Sequence, residues 1–414
     1  MRVEFFIGLR YLVSRRSSLL SMFTLISISG VFVGVMALIV ILAVLNGFHD
    51  DLRDKILGTM PHVTIHTYNG EPIAGYDSLI MELAGLAEVE SVAPLIYSEG
   101  MVVSDGRNNV GVILRGVDPE REIRITRISD FISSGEFSFT DTPADGEIAY
   151  PSLVIGSYMA QLLLVGVGDV VTVWAPRGVK ITPFGLSAPW RKFRVRGIFE
   201  TGLFDVDSKF AYMDLGQTQS FFGMKHACSH IEINLNEVDS AAEVREEIVQ
   251  LLGGYPFTGT DWLTYNRNLF EALKLEKAVM FVILTLIVLV ASFNIVSTLT
   301  LLVMDKTREI GILRSMGLKA SSVGLIFIFN GLVIGLAGTV LGAAAGYGLC
   351  TLLSKYNLIE IPADVYFISN FPVNMQASDV VIVTTASLVI SLAATIYPAF
   401  RASALTPVEA IRHE

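Results

Sequence analysis

Residues 17–49 read SSLLSMFTLISISGVFVGVMALIVILAVLNGFH, 33 consecutive positions without Asp, Glu, Lys or Arg. A helix crosses a hydrocarbon core of about 30 Å with roughly 20 apolar residues. It also satisfies its own backbone hydrogen bonds, which lipid cannot do for it. Three further charge-free runs follow: Ala278–Met304, Ala320–Ser354 and Val380–Phe400. Residues 50–277, mixed in composition, separate the first run from the second. The fold class is therefore a membrane protein, with four transmembrane α-helices and a large domain inserted between helices 1 and 2.

Working outward, the first run is too long for a secretory signal, whose apolar core spans roughly 7–15 residues. No small-residue cleavage site precedes Asn46-Gly47-Phe48, so it is read as a permanent helix. The bulk numbers agree: 52% hydrophobic residues and a mean hydropathy of +0.57 exceed soluble composition. The expected boundaries are helix 1 at 19–47, the outer domain at 48–277, helix 2 at 278–304, helix 3 at 320–354 and helix 4 at 380–400.

Orientation follows from the basic residues beside helix ends. Arg2, Arg10, Arg15 and Arg16 precede helix 1 in segment 1–18. Lys306, Arg308, Arg314 and Lys319 fill the 305–319 connector, and Arg401 and Arg412 lie in the tail at 401–414. The 355–379 loop has Lys355 against Glu360, Asp364 and Asp379. Both termini and the 305–319 connector are expected in the cytoplasm, and the large domain outside it. Residues 46–277 carry 19 basic and 32 acidic side chains, a balance that leaves no electrostatic footprint for nucleic acid.

Within the outer domain, 62–66, 101–103, 110–115 and 231–235 alternate as strands, while 79–86 and 241–252 read as helices. This is an α+β pattern, expected as two subdomains. The domain's lone cysteine, Cys228, excludes an internal disulfide there. His226, Cys228 and His230 would share one strand face at i, i+2 and i+4, short of a clear fourth metal ligand. No P-loop, H-E-x-x-H, G-x-S-x-G or C-x-x-C pattern occurs, so no catalytic, cofactor or metal residues are assigned.

Four segments carry more. Phe5–Arg16 has a helical apolar face and basic residues at headgroup level; a frayed basic tail is the other reading. Gly331 and Gly335, then Gly338, Gly342 and Gly346, form small-residue ladders on helix 3. They suit either packing within the subunit or dimerisation. The connector places Ile310, Leu313 and Met316 at i, i+3 and i+6 with Gly317 as its stop, so it reads as a short amphipathic helix. Finally, 171–174 and 193–199 alternate as a hairpin pair around the loop 176–192. That loop holds Pro176, Pro183 and Pro189 and exposes Ile181, Phe184, Leu186 and Trp190, a composition suited to binding.

These stretches resemble a known family. Phe6-Ile7-Gly8-Leu9-Arg10-Tyr11, Gly34-Val35-Met36-Ala37-Leu38, Leu45-Asn46-Gly47-Phe48, Phe293-Asn294-Ile295, the 305–318 loop, Tyr397-Pro398-Ala399 and 406–412 (TPVEAIR) carry the likeness. Together and in order they resemble transmembrane subunits of the lipoprotein-releasing (Lol) system, LolC/LolE type, within the MacB/FtsX-like permease group. The resemblance implies a MacB-like permease with a periplasmic α+β domain in the bacterial inner membrane. It implies mechanotransmission: a separate cytoplasmic ATPase dimer, LolD, binds ATP and Mg and drives the permease. A triacylated lipoprotein is thereby extracted and passed to the periplasmic carrier LolA. The chain itself is then no enzyme and holds no cofactor.

By the same resemblance, Ile181, Thr182, Pro183, Phe184 and Gly185 form the tip of a carrier-binding hook, with Pro189 and Arg191 on its return. Arg308, Glu309, Ile310, Leu313, Arg314 and Met316 are expected to couple to the ATPase, with Ile310, Leu313 and Met316 as an apolar plug. Lipoprotein acyl chains are expected against Ile41, Val44, Leu45 and Phe48 on one wall and Met280 and Phe281 on the other. The Arg308-Glu309-Ile310 stretch is similar to the LolE loop and the hook to LolC. Pairing with a LolE-like second subunit or with a second copy therefore stays open. An FtsX-like scaffold controlling a periplasmic cell-wall hydrolase is the alternative.

Overall fold

The computed structural model describes residues 2–13, 18–104, 108–140, 149–175, 180–182, 185–187, 189–356 and 373–406. The chain divides into two compact units. One comprises residues 1–51, 271–361 and 369–414, and the other 52–270 with 362–368.

The first unit is built from helices long and apolar enough to cross a membrane. They run Ser18–Thr59, Arg267–Asp305, Ala320–Tyr356 and Ala377–Ala404, preceded by a short helix Arg2–Val13. Two of them outrun their charge-free stretches by ten residues or more. The first continues past Asp50 and Asp51 to Thr59, and the second begins at Arg267 instead of 278. Charge ends a hydropathy run without ending helical geometry, because Asp, Arg and Lys in 50–55 remain compatible with a helix.

Packing within this unit centres on Val35, Leu38, Ile295, Leu299, Phe327 and Ile334. The glycine ladders of the third helix settle their own question. A Cβ at Gly331 or Gly335 would meet Thr395 or Ser391 of the fourth helix. One at Gly338, Gly342 or Gly346 would meet Val31, Val35 or Ile39 of the first. The small residues thus let three helices of one chain approach closely. Polar ties support the same packing: the Ser27 and Thr298 hydroxyls lie 2.7 Å apart, and those of Thr339 and Ser387 3.0 Å apart.

The second unit contains fourteen strands among the described residues. The first seven are β1 (Val63–Thr67), β2 (Ile73–Ala74), β3 (Val89–Ser104), β4 (Asn108–Val117), β5 (Ile132–Gly135), β6 (Ser152–Gly156) and β7 (Val170–Trp174). The rest are β8 (Lys180–Thr182), β9 (Gly185–Ser187), β10 (Trp190–Phe199), β11 (Phe210–Asp214), β12 (Ala227–Cys228), β13 (His230–Leu235) and β14 (Phe257–Asp261). Ten join one mixed sheet in the order β14-β1-β13-β3-β4-β11-β6-β10-β5, with β7 beside β10 and β3. β4–β11 and β6–β10 are parallel pairs.

The segment at 101–103 belongs to a longer continuous strand, β3, which pairs with β4 over ten positions. Distinct apolar clusters flank the sheet. One gathers Val63, Ile65, Ile231, Ile233, Val244 and Ile248; another gathers Val102, Leu114, Leu153, Ile155, Val173 and Phe193. β3 contributes to both, through Val92 and Val102. The helices expected at 79–86 and 241–252 run Tyr76–Leu83 and Ala241–Leu251.

Candidate functional site

The hairpin around the proline-rich loop forms as its alternation requires. β7 and β10 are antiparallel, with Trp174 opposite Trp190 and Val171 opposite Phe193. β10 begins at Trp190, so pairing extends three residues beyond the expected start. The two indole rings lie 6.0 Å apart on this closing pair. Beyond it the Ala175 N–H donates to the Pro189 carbonyl at 3.0 Å. Inside the loop β8 and β9 form a second hairpin, with Ile181 opposite Leu186 and Thr182 opposite Gly185. Pro183 and Phe184, expected at the tip, fall outside the described residues. On the return, Arg191 Nη1 donates to Gln217 Oε1 at 3.1 Å, which ties that side chain to its own domain.

The 305–319 connector contains a helix, Thr307–Ser315. Gly317 ends it at φ +98°. The Leu318 N–H returns to the Leu313 carbonyl at 3.1 Å and the Gly317 N–H to Arg314 at 3.0 Å. That is the Schellman arrangement in which a left-handed glycine satisfies the last carbonyls. Burial differs among the residues of the expected plug. Ile310 is 1% exposed and packs in the chain's own helix core, because the stripe at its position faces inward. Leu313 is half-buried. The outward apolar side chains are Ile312 and Met316, the latter 79% exposed. Arg308 and Glu309 are exposed, with Glu309 held by Lys306 Nζ at 2.9 Å. Arg314 turns back to donate to the carbonyls of Ser403 and Leu405, so it braces the connector against the end of the fourth helix.

On the expected acyl wall, Ile41, Val44, Leu45, Phe48 and Met280 are half-buried and Phe281 is exposed. A polar chain escaped the sequence reading. Lys277 Nζ donates to Asn46 Oδ1 at 2.9 Å, and Asn46 Nδ2 donates to Asp379 Oδ2 at 2.6 Å. It links the first, second and fourth spanning helices. Asn46 within an apolar run was the available signal, since a polar residue inside a spanning segment needs a partner.

The His226, Cys228 and His230 trio separates. His226, at φ +43°, has an exposed ring with Nε2 2.6 Å from Asp77 Oδ2. β12 ends at Cys228 and β13 begins at His230, so no single strand carries all three. Burial pushes the Cys228 thiol up to about 12, away from the thiolate a metal would bind.

A second polar centre in the sheet domain also went unread. Arg115 on β4 is 3% exposed, and its Nη2 lies 2.6 Å from Glu232 Oε1 and 3.6 Å from Glu122 Oε1. Both carboxylates are 1% exposed. Burial would lower the Arg115 pKa, but Glu232, Tyr212 and Glu122 outweigh it and hold the guanidinium charged. Burial, reinforced by Glu232, pushes Glu122 up to about 7 despite Arg115. Nothing in β4 announces this, because an Arg in an alternating strand reads as solvent-facing.

Residues 24–251 match the family described as MacB-like periplasmic core domain, and 281–407 match FtsX-like permease C-terminal. The chain is 34% identical to the lipoprotein-releasing system transmembrane protein LolC of Xylella fastidiosa (strain 9a5c), over 99% of this chain and 98% of that one. LolC of Neisseria meningitidis serogroup B is 32% identical, over 100% of this chain and 99% of the relative. LolE of Haemophilus influenzae is 29% identical, over 99% of each.

Proposed function

This chain belongs to the lipoprotein-releasing permease family of LolC and LolE, and from that membership we propose how its parts divide the work. It is a multi-pass inner-membrane permease subunit with a periplasmic domain, a component of a transporter and not a catalytic enzyme. The proposal concerns the partners. A LolD-like ATPase dimer carrying ATP and Mg docks on the exposed face of the connector helix, with both termini on the same cytoplasmic side. A LolA-like carrier docks on the loop between β7 and β10. Acyl chains of a triacylated lipoprotein lie against the 41–48 and 280–281 walls, next to a LolE-like subunit or a second copy. Closure of the ATPase is then transmitted mechanically to the periplasmic domain.

The observation that carries the carrier assignment is the nested hairpin. A stiff backbone loses little entropy on binding, so an apolar tip set on paired strands suits an interface anchor. Pro183 restricts φ beside Phe184, which stiffens the tip in the same sense. The test is affinity of the full chain, in detergent or nanodiscs, for the carrier. Phe184→Asp, or deletion of 181–190, is expected to abolish binding while leaving ATPase assembly intact; unchanged affinity refutes the assignment. Capture of a cell-wall hydrolase in place of the carrier would favour an FtsX-like scaffold.

A further inference from the structure

A pocket of about 550 Å³ lies between the last turns of the second and fourth spanning helices and the start of the connector helix. Its lining is graded in polarity. Thr300, Val303, Met304 and Pro398 line it from within the charge-free runs, which end at Met304 and Phe400. Arg308 and Arg401 line it from beyond those ends. A charge-free run stops where hydrocarbon gives way to headgroups, so the sequence itself sets this pocket across that boundary. At 1.5 Å per residue, Met304 stands about 35 Å along the helix from Phe281. The pocket therefore lies in the opposite leaflet from the 280–281 wall.

The two cations are uncompensated. Both side chains are exposed, and among the described residues neither makes an ion pair. The nearby carboxylates are engaged elsewhere: Asp305, which also lines the pocket, lies 3.3 Å from Lys306 Nζ, and Glu309 lies 2.9 Å from it. Two free guanidiniums at headgroup depth, above an apolar floor that opens toward hydrocarbon, fit a ligand of the same polarity. A guanidinium fork matches the oxygens of a phosphate, and charge-assisted hydrogen bonds of that kind are the strong ones. A glycerophospholipid carries its phosphate and its acyl chains in this order, and the bilayer supplies it at this depth.

We propose that this pocket holds an anionic glycerophospholipid of the surrounding leaflet, its phosphate on Arg308 and Arg401 and its chains starting over Met304 and Pro398. The bound lipid ties the start of the connector to the end of the fourth helix, as Arg314 does through the carbonyls of Ser403 and Leu405. The assignment rests on the membrane reading of these helices. It shares Arg308 with the connector, so binding is measured without the ATPase, where failure of that contact leaves the readout unchanged.

Native mass spectrometry of the full chain in a neutral detergent reads the dissociation constant of the first lipid bound. Dioleoylphosphatidylglycerol should bind. Dioleoylglycerol, with the same acyl chains and no phosphoglycerol headgroup, should bind at least about tenfold more weakly. Arg308→Gln combined with Arg401→Gln should weaken phosphatidylglycerol by about tenfold or more, since each removes a charge-assisted hydrogen bond. Arg10→Gln combined with Lys319→Gln takes the same charge from exposed positions outside the pocket. That control should weaken binding by less than about threefold, because only general attraction to the lipid is reduced. Inorganic phosphate should leave the bound lipid in place. No phosphatidylglycerol bound, equal binding of the two lipids, or equal loss in the two double variants overturns the proposal. Displacement by inorganic phosphate also overturns it, and would make the pocket a site for soluble anions.

Discussion

Replacing Gly342 by Ala probes the packing of the spanning helices at one atom. The added Cβ would sit 2.7 Å from the Phe32 carbonyl oxygen and 2.9 Å from Val35 Cβ. Ordinary contact lies near 3.5–4.0 Å. One obstacle is backbone and the other is a branched Cβ, so neither can rotate aside and the helices must part by several tenths of an ångström or more. Overpacking of this kind costs about 1–3 kcal/mol. Gly348 is the internal control, because its Cβ would meet nothing within 4 Å. Gly348→Ala should gain up to about 1 kcal/mol of helix propensity. Thermal unfolding of the purified chain in one detergent compares them, at roughly 2–4 °C per kcal/mol for a unit of this size. Gly342→Ala should lower Tm by several degrees and Gly348→Ala should not. If Gly342→Ala left Tm unchanged but altered the oligomeric state, the ladder would be a dimer contact and the packing described above would be wrong.

Burial raises Glu122 from 4.5 to about 7, so the folded state holds that proton more tightly than the unfolded chain. Its contribution is fully present below about pH 4.5 and is lost as pH rises to about 7, on the order of 3 kcal/mol. Unfolding measured across that window should show the decline in the natural chain and a flatter profile in Glu122→Gln; identical profiles refute it. Arg115→Met strands both carboxylates and should cost about 3–5 kcal/mol by denaturant titration, whereas a cost below 1 kcal/mol would show that the cluster is solvated. Met316→Asp places a charge on the exposed face of the connector without touching the buried Ile310. It should reduce copurification of the ATPase at least tenfold with folding unchanged, and full copurification would move the contact elsewhere.

Much of the architecture was legible because the membrane imposes a one-dimensional rule. Charge-free runs of sufficient length can do little else than span, and Gly317 announces the end of the connector by local chemistry alone. What escaped was set by partners distant in sequence. Arg115 meets Glu232 across 117 positions, and Lys277 meets Asn46 across 231. Asn46 inside an apolar run signals that a partner is needed, but no local pattern says which residue supplies it, and nothing local marks Arg115. Ile310, Leu313 and Met316 show a related limit: periodicity identifies an apolar stripe but not which part of it the protein covers itself. The His226, Cys228 and His230 spacing failed because a positive φ at His226 and a strand break before His230 interrupt the alternation on which it relied.

The central claim is that this chain moves lipoproteins out of a membrane under ATP-driven force. The most direct measurement reconstitutes it with its ATPase partner and any second permease subunit in liposomes loaded with a labelled triacylated lipoprotein. Soluble lipoprotein is then followed with and without ATP and the purified carrier. Carrier-bound lipoprotein should appear when both are present and remain at background when either is omitted. ATP hydrolysis at a full rate with no lipoprotein leaving the membrane, coupled instead to activation of a cell-wall hydrolase, would contradict the account.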